Sequence, residues 1–159
     1  MQILVLYYSK GGNTRKLAEN IAEGVEQAEG VKALLKRTDE VTEEDFLACD
    51  GVIAGSPVYF GVMASELKKV FDDFVGVRKR MEGKVGGAFA TSADPSGGKE
   101  TTMMSIIQVL LIYGMIVVGD PISATGHYGA SCVGAPDQKA GEKGAKLGRR
   151  VAELAKRLG

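Results

Sequence analysis

Six consecutive residues, Ser9-Lys10-Gly11-Gly12-Asn13-Thr14, combine two hydroxyls, an amide and two glycines. Such a run suits holding an anion, because its side chains donate hydrogen bonds and its glycines let a ligand approach the backbone closely. The preceding stretch, Met1 to Tyr8, is mostly apolar and predicts a buried strand. After the run, Leu17, Ile21 and Val25 recur at helical spacing within Arg15 to Val25. A strand-loop-helix unit aims free N–H groups and the positive end of the helix dipole at one point. The run matches neither the P-loop pattern nor the dinucleotide Gly-x-Gly-x-x-Gly pattern. A later Gly97-Gly98-Lys99 is followed by Glu100, so it does not complete a P-loop either. Hydroxyls and N–H groups without metal-binding apparatus point to the monophosphate of a mononucleotide. The same residues also read as an ordinary turn with Asn13 or Thr14 capping the helix. Alone, the run does not separate the two.

The elements around it predict what else reaches the same place. Further strands are expected at Val31 to Lys36, Gly51 to Ser56, Val85 to Thr91 and Met115 to Val118. Between them lie a short acidic helix near Glu43 to Ala48, an amphipathic helix from Met63 to Phe74 and an apolar one from Thr101 to Tyr113. An irregular stretch from Gly119 to about Ala140 precedes a final helix with Leu147, Val151, Leu154 and Leu158 on one stripe. Glycines in the fourth strand predict a helix packed closely on it. Strands alternating with helices give an α/β fold, a doubly wound five-stranded parallel sheet of order 2-1-3-4-5, in one domain over residues 1–159. Ligands bind such sheets at the carboxyl ends of the strands. Three loops leave those ends on adjacent strands: Ser9 to Thr14, Pro57-Val58-Tyr59-Phe60-Gly61, and Ser92-Ala93-Asp94-Pro95-Ser96-Gly97-Gly98-Lys99.

The second loop supplies Tyr59, whose ring suits covering a flat heteroaromatic system, while Phe60 is expected to fill the core. The third, with Thr91, Ser92 and Ser96, offers hydroxyls and N–H groups for the polar edge of such a ring. Phosphate and planar ring together indicate flavin mononucleotide (FMN). Receiver domains share the sheet but need acidic residues where this chain has Tyr8, Ser9 and Ser56.

Composition closes off other classes. Twenty basic and twenty acidic side chains cancel, which gives no electrostatic footprint for nucleic acid or an anionic membrane. The basic last helix has no interleaved aromatics and reads as a solvated face. No apolar run is long enough to span a bilayer, and no leader opens the chain. Cys49, Cys132 and the single histidine, His127, form no metal-ligand spacing, and the cysteines read as small buried residues. The expected location is cytoplasmic.

At the level of motifs the chain resembles the flavodoxin-like FMN proteins, and within them the WrbA-type NAD(P)H:quinone oxidoreductases. Tyr7-Tyr8-Ser9 and Gly12-Asn13-Thr14 are similar to the phosphate loop. Gly55-Ser56-Pro57-Val58-Tyr59-Phe60-Gly61-Val62-Met63 is similar to the family's Gly-Thr-Pro-Thr-Arg-Phe-Gly-Asn-Met. Gly97-Gly98-Lys99-Glu100-Thr101-Thr102 resembles its Gly-Gly-Gln-Glu-Thr-Thr, and Gly114 to Val118 and Tyr128 to Ser131 resemble later segments. Tyr59 stands where the family usually has Arg, Tyr113 where His is common, and His127 where Pro is usual.

The resemblance implies an FMN-dependent enzyme that takes hydride from NAD(P)H and passes two electrons to a quinone. It implies cofactor contacts from Ser9, Lys10, Gly11, Gly12, Asn13 and Thr14, from Pro57, Val58, Tyr59, Phe60 and Gly61, and from Thr91, Ser92, Ala93, Gly97, Gly98 and His127. Tyr59 and His127 are the candidate catalytic residues; His127 equally reads as a surface-loop histidine. A homo-oligomer, dimer or tetramer, is expected, with the apolar fourth helix as its hint. Two other functions stay open: a flavodoxin-type one-electron carrier, and an FMN-binding redox-responsive protein without turnover. A neutral chain without Trp favours the reductase over the carrier.

Overall fold

The computed structural model describes all of residues 1–159. Strands β1 (Gln2–Tyr7), β2 (Lys32–Arg37), β3 (Gly51–Pro57), β4 (Val85–Ser92) and β5 (Ile116–Val117) form a parallel sheet of order β2-β1-β3-β4-β5. The inner strands are near-continuous apolar runs because both sheet faces are covered. β2 is the exposed edge and carries Lys32, Lys36 and Arg37, charges that discourage pairing with another chain.

Alternation along the strands sorts the side chains into two cores. Ile3, Val5, Ile53 and Phe89 face α1 (Asn13–Glu26) and α5 (Gln138–Leu158). Leu4, Leu6, Val52 and Ala88 face α2 (Glu43–Ala48), α3 (Ser65–Asp73) and α4 (Lys99–Ile112). The glycines of β4 do what their positions predict. A Cβ at Gly86 would lie 3.3 Å from Leu110 of α4, and one at Gly87 would lie 3.3 Å from Val151 of α5. No helix is long and apolar enough to cross a membrane.

Two expected elements differ. The amphipathic helix begins at Ser65, not Met63, and continues beyond Asp73 as a 3₁₀ segment, Phe74–Arg80. The larger change is at the outer edge. β5 pairs only with Val85 and Gly86, at the start of β4. The stretch expected to be irregular contains a sixth strand, β6 (Ala130–Val133), which pairs with Phe89 to Ser92. One edge of β4 is thus shared by two short strands, and the sheet has six strands, not five.

The excursion between them is closed at its base. A Cβ on Gly119 would stand 1.9 Å from the His127 carbonyl oxygen. Buried Asp120 organises the interior, accepting hydrogen bonds from Thr125 Oγ1 (2.7 Å) and from the N–H groups of Gly126 (3.1 Å) and His127 (2.7 Å). Arg150 Nη1 donates to the Asp120 carbonyl at 2.9 Å and ties the loop to α5.

α1 and α5 pack at backbone distance. A Cβ at Gly148 would lie 2.1 Å from the Ile21 carbonyl oxygen, and one at Gly24 would lie 2.0 Å from the Ala145 carbonyl oxygen. Gly148→Val must therefore push α1 away from the sheet and should lower stability by about 2–3 kcal/mol. Gly76→Ala, in open space, is the control that should change little. Urea unfolding midpoints measure both; equal midpoints would contradict the close packing.

Candidate functional site

α1 starts at Gly12, whose backbone is left-handed (φ 91°), and no side chain caps it. The first N–H of this turn bonded to a backbone carbonyl within it is that of Lys16, which reaches the Gly12 oxygen at 3.0 Å. The N–H groups of Asn13, Thr14 and Arg15 therefore have no protein acceptor. The ordinary-turn reading, with Asn13 or Thr14 as the cap, does not describe this helix. Ser9 is buried, and its Oγ accepts the Gly12 N–H at 3.0 Å, which leaves its own proton to donate. Thr14 Oγ1 and Thr91 Oγ1 share a buried 2.8 Å hydrogen bond, joining the start of α1 to the end of β4.

The three loops meet around a pocket of about 170 Å³. Ser9, Lys10, Gly11, Asn13 and Thr14 line it from the first loop, and Pro57, Val58 and Tyr59 from the second. Thr91, Ser92 and Ala93 line it from the third. Gly11 has open space where a Cβ would stand, so nothing in the protein fills the anion end. Gly12 contributes the turn itself. Gly61 and Gly98, both with positive φ (81° and 88°), bring the second and third loops together: a Cβ on Gly98 would lie 3.2 Å from the Gly61 Cα. Gly97 packs on Ser92 in the same loop.

Several side chains stand elsewhere than expected. Phe60 does not enter the core; its ring is fully exposed. Tyr59 and Val62 exchange backbone hydrogen bonds at 3.1 Å, so Phe60 and Gly61 form the two-residue tip of a tight hairpin, with φ of 52° and 81°. Such turns require positive φ at both central residues, and this geometry projects Phe60 outward. Ser96 is also redirected. Its N–H and hydroxyl donate to Asp94 Oδ1 at 2.9 and 2.7 Å, which holds the Asp94 carboxyl below its usual range. The Thr91 hydroxyl faces Thr14 rather than a ring edge. His127 is exposed and lines a different cavity, of about 150 Å³, with Glu100, Tyr128 and Lys143. It is not brought together with Tyr59 and Ser9.

Burial pushes the Cys49 and Cys132 thiols up to about 11, so both are protonated near neutral pH.

Two further features frame the site. α4, like α1, begins at a left-handed glycine, Gly98, and leaves the N–H groups of Lys99, Glu100 and Thr101 without acceptors. The Gly97-Gly98 pair ahead of a helix was the available signal. Tyr8, immediately before the first loop, packs edge-on against Tyr59 with centroids 6.3 Å apart.

A family described as NADPH-dependent FMN reductase matches residues 1–130. The chain belongs to the NADPH-dependent FMN reductase family. A protein named flavodoxin from Aquifex aeolicus is 40% identical to this chain over 158 residues, 96% of this chain and 85% of that one. A protein named NAD(P)H dehydrogenase (quinone) from Archaeoglobus fulgidus is 35% identical over 190 aligned positions, covering 99% of this chain and 98% of that one. Among solved structures, a WrbA-like flavodoxin from Agrobacterium tumefaciens superposes with a TM-score of 0.86 at 26% identity, covering 99% of both chains. The superposition agrees with the sheet order of this FMN reductase family member.

A bulky residue held in left-handed backbone is strained by about 1–2 kcal/mol. In Phe60→Asn the hairpin tip becomes Asn-Gly, the pair these turns favour. The variant should gain about 1 kcal/mol of stability, read as a higher melting temperature. A lower melting temperature would show that the exposed ring, not the backbone, dominates the energy of the hairpin.

Proposed function

We propose that this protein is an FMN-dependent oxidoreductase that carries two electrons from NAD(P)H to a quinone, with the whole chain acting as one FMN-binding domain. The observation that carries the reading is the start of α1. Three N–H groups without acceptors, two buried hydroxyls and open space at Gly11 converge where an anion fits, beside an aromatic wall. Those donors suit a phosphate, and Tyr59, half-buried beside them, suits a planar ring. FMN when bound would supply the hydride acceptance and electron delivery, chemistry that belongs to the cofactor.

The chain's own residues then have distinct tasks. Ser9, Asn13, Thr14 and the N–H groups of α1 hold the phosphate. Pro57, Val58, Tyr59 and Gly61 flank the ring, and Phe60 at the hairpin tip shields its outer side from water. Ser92, Ala93, Gly97 and Gly98 line its polar edge. Tyr59 is the side chain best placed to touch a second substrate; His127 stands in its own cavity and has no part in this proposal.

Relatives bearing the quinone dehydrogenase name support the acceptor class. We propose a homo-oligomer, dimer or tetramer, joined through the outward apolar residues of α4, Met104, Leu111 and Ile112. The two free cysteines suit a reducing, cytoplasmic setting. A one-electron carrier is the second reading, favoured by the 40% identity to the Aquifex aeolicus flavodoxin.

Steady-state oxidation of NADH and NADPH by FMN-loaded protein, with and without benzoquinone, tests the enzyme. Quinone-dependent turnover is expected. No turnover, with reduction proceeding in two separate one-electron steps, would favour the carrier. Thr14→Ala leaves Thr91 without its hydroxyl partner and removes a donor from the anion end. It should weaken FMN binding roughly tenfold while the far-ultraviolet circular dichroism stays unchanged. Unaltered affinity would count against the phosphate assignment.

A further inference from the structure

Tyr8 ends the approach to the first loop but lines no part of the pocket. Its ring packs beside the core formed with α3 and α4. Contacts from three different elements converge on it. Tyr59, the base of the exposed hairpin, meets the Tyr8 ring nearly perpendicularly, at an interplanar angle of 72° and a centroid distance of 6.3 Å. Arg37, from the end of β2, places its guanidinium carbon 5.9 Å from the centroid of the same ring. Glu66, in the first turn of α3, faces the Tyr8 hydroxyl. That carboxylate pushes Tyr8 up to about 12, and the hydroxyl holds Glu66 below its usual range.

The placement of those partners matters. Tyr59 and Glu66 stand at the two ends of the segment that carries Phe60, and Ser56 closes the same segment beneath them. Ser56 Oγ accepts the Ala64 N–H at 2.8 Å and donates to the Pro57 carbonyl at 2.7 Å. Ser56 fixes the backbone of the loop, but it leaves the Tyr59 side chain free to rotate. The Tyr59 hydroxyl has no hydrogen-bond partner in the protein, and its ring is only half-buried. Tyr8 is the one aromatic ring in contact with it. Tyr8 is also the immediate chain neighbour of Ser9, so a single residue joins the phosphate end of the pocket to its aromatic wall.

We propose that Tyr8 is a positioning residue, which holds Tyr59 and the Phe60 hairpin at a set distance from the Ser9–Thr14 loop. The consequence for a planar ligand rests on the FMN reading above; the brace itself does not. Arg37 beside its face holds the Tyr8 ring in place, and Tyr8 in turn limits how far the Tyr59 ring can rotate at the pocket wall. A ligand that spans both loops then meets a wall already in place, and its affinity includes no loss from ordering that side chain.

Two measurements on tyrosine-labelled protein test this. In the apo protein, nuclear magnetic resonance reports the Tyr59 ring directly, assigned with Tyr59→Phe. Tyr8→Leu should move and sharpen the Tyr59 signals as the ring gains freedom, whereas Tyr8→Phe, which keeps the ring edge, should preserve them. In the second measurement, FMN titration, Tyr8→Leu and Tyr59→Leu should each weaken binding about tenfold. The double variant should be no weaker than Tyr59→Leu alone, because Tyr8 reaches the ligand only through Tyr59. Tyr59 signals unchanged in Tyr8→Leu, or additive losses of affinity, would overturn the proposal. If wild-type protein binds no FMN, the FMN reading fails separately, and the apo signals alone decide for or against the brace. Should Tyr8→Leu lose cooperative unfolding, Glu66→Leu frees the Tyr8 hydroxyl from the loop side. It should shift the Tyr59 signals in the same direction, and no shift would again overturn the proposal.

Discussion

A helix frees the N–H groups of its first turn, and each must find an acceptor or remain exposed to solvent or ligand. How this chain distributes those groups determines where anything can bind. All five helices follow a strand and start at the carboxyl edge of the sheet. The two that follow the flanking strands close themselves. Thr42 caps α2 in a reciprocal capping box with Asp45, and Asp137 caps α5 through the Ala140 N–H. The three that follow the central strands β1, β3 and β4 have no side-chain cap at all. Gly12, Ala64 and Gly98 stand at cap positions where a Ser, Thr, Asp or Asn side chain commonly accepts from the first turn, and at Ala64 that absence costs about 1 kcal/mol. The omission is confined to the middle of the sheet, where the strand order reverses and ligands of such folds bind. Side-chain caps are absent at the helix starts that follow the central strands, of which α1 lines the pocket, and present at the two that follow the flanking strands.

Keeping those starts open requires that other contacts fix the helices. α1 is held from behind by the glycine contacts with α5, which set its backbone directly on a neighbouring backbone. At its open end, the Thr14–Thr91 hydrogen bond ties it across β3 to β4. Within the sheet, Gly55 leaves the space that the Phe89 ring occupies, since a Cβ there would lie 2.0 Å from the ring. Side chains replaced by hydrogen at Gly55, Gly86 and Gly87 let helices and rings approach both faces of β3 and β4. The central strands therefore cannot shift without displacing the loops they carry. That rigidity is what a preformed site needs.

Much of this was legible in the sequence because it rests on local pattern. Apolar runs of strand length, helical spacing in Leu17, Ile21 and Val25, and loops rich in glycine and serine gave the sheet order and its converging loops. What escaped depends on partners distant along the chain or on backbone angles. β6 is four residues, and its pairing with Phe89 to Ser92 is set by how the Asp120-centred loop closes, which no local period reveals. By sequence Phe60 reads as a core residue, because a large apolar side chain usually is buried. The Phe-Gly pair at a two-residue turn, with left-handed backbone at both positions, overrides that tendency. The family resemblance implies a place for His127 at the pocket, but the loop closed around Asp120 carries it to another cavity, as the surface-loop reading has it.

The exposed Phe60 also bears on which kind of flavin chemistry the fold would serve. A strained, solvent-facing aromatic is unfavourable twice over, through its backbone and through its hydration. Nothing in the protein offsets either, since Tyr59 and Val62 close the hairpin by backbone bonds that any pair of residues could make. Under the proposed function, a ring bound in the pocket would supply the contact that the protein itself does not give Phe60. A carrier that relies on charge to meet its partners has little use for such a feature, and this chain, with equal numbers of acidic and basic residues, has no net charge to steer with. An enzyme that must exclude water around a planar substrate has a direct use for it. Under the proposed function the hairpin tip, rather than any titratable side chain, is the part of the site that would exclude water.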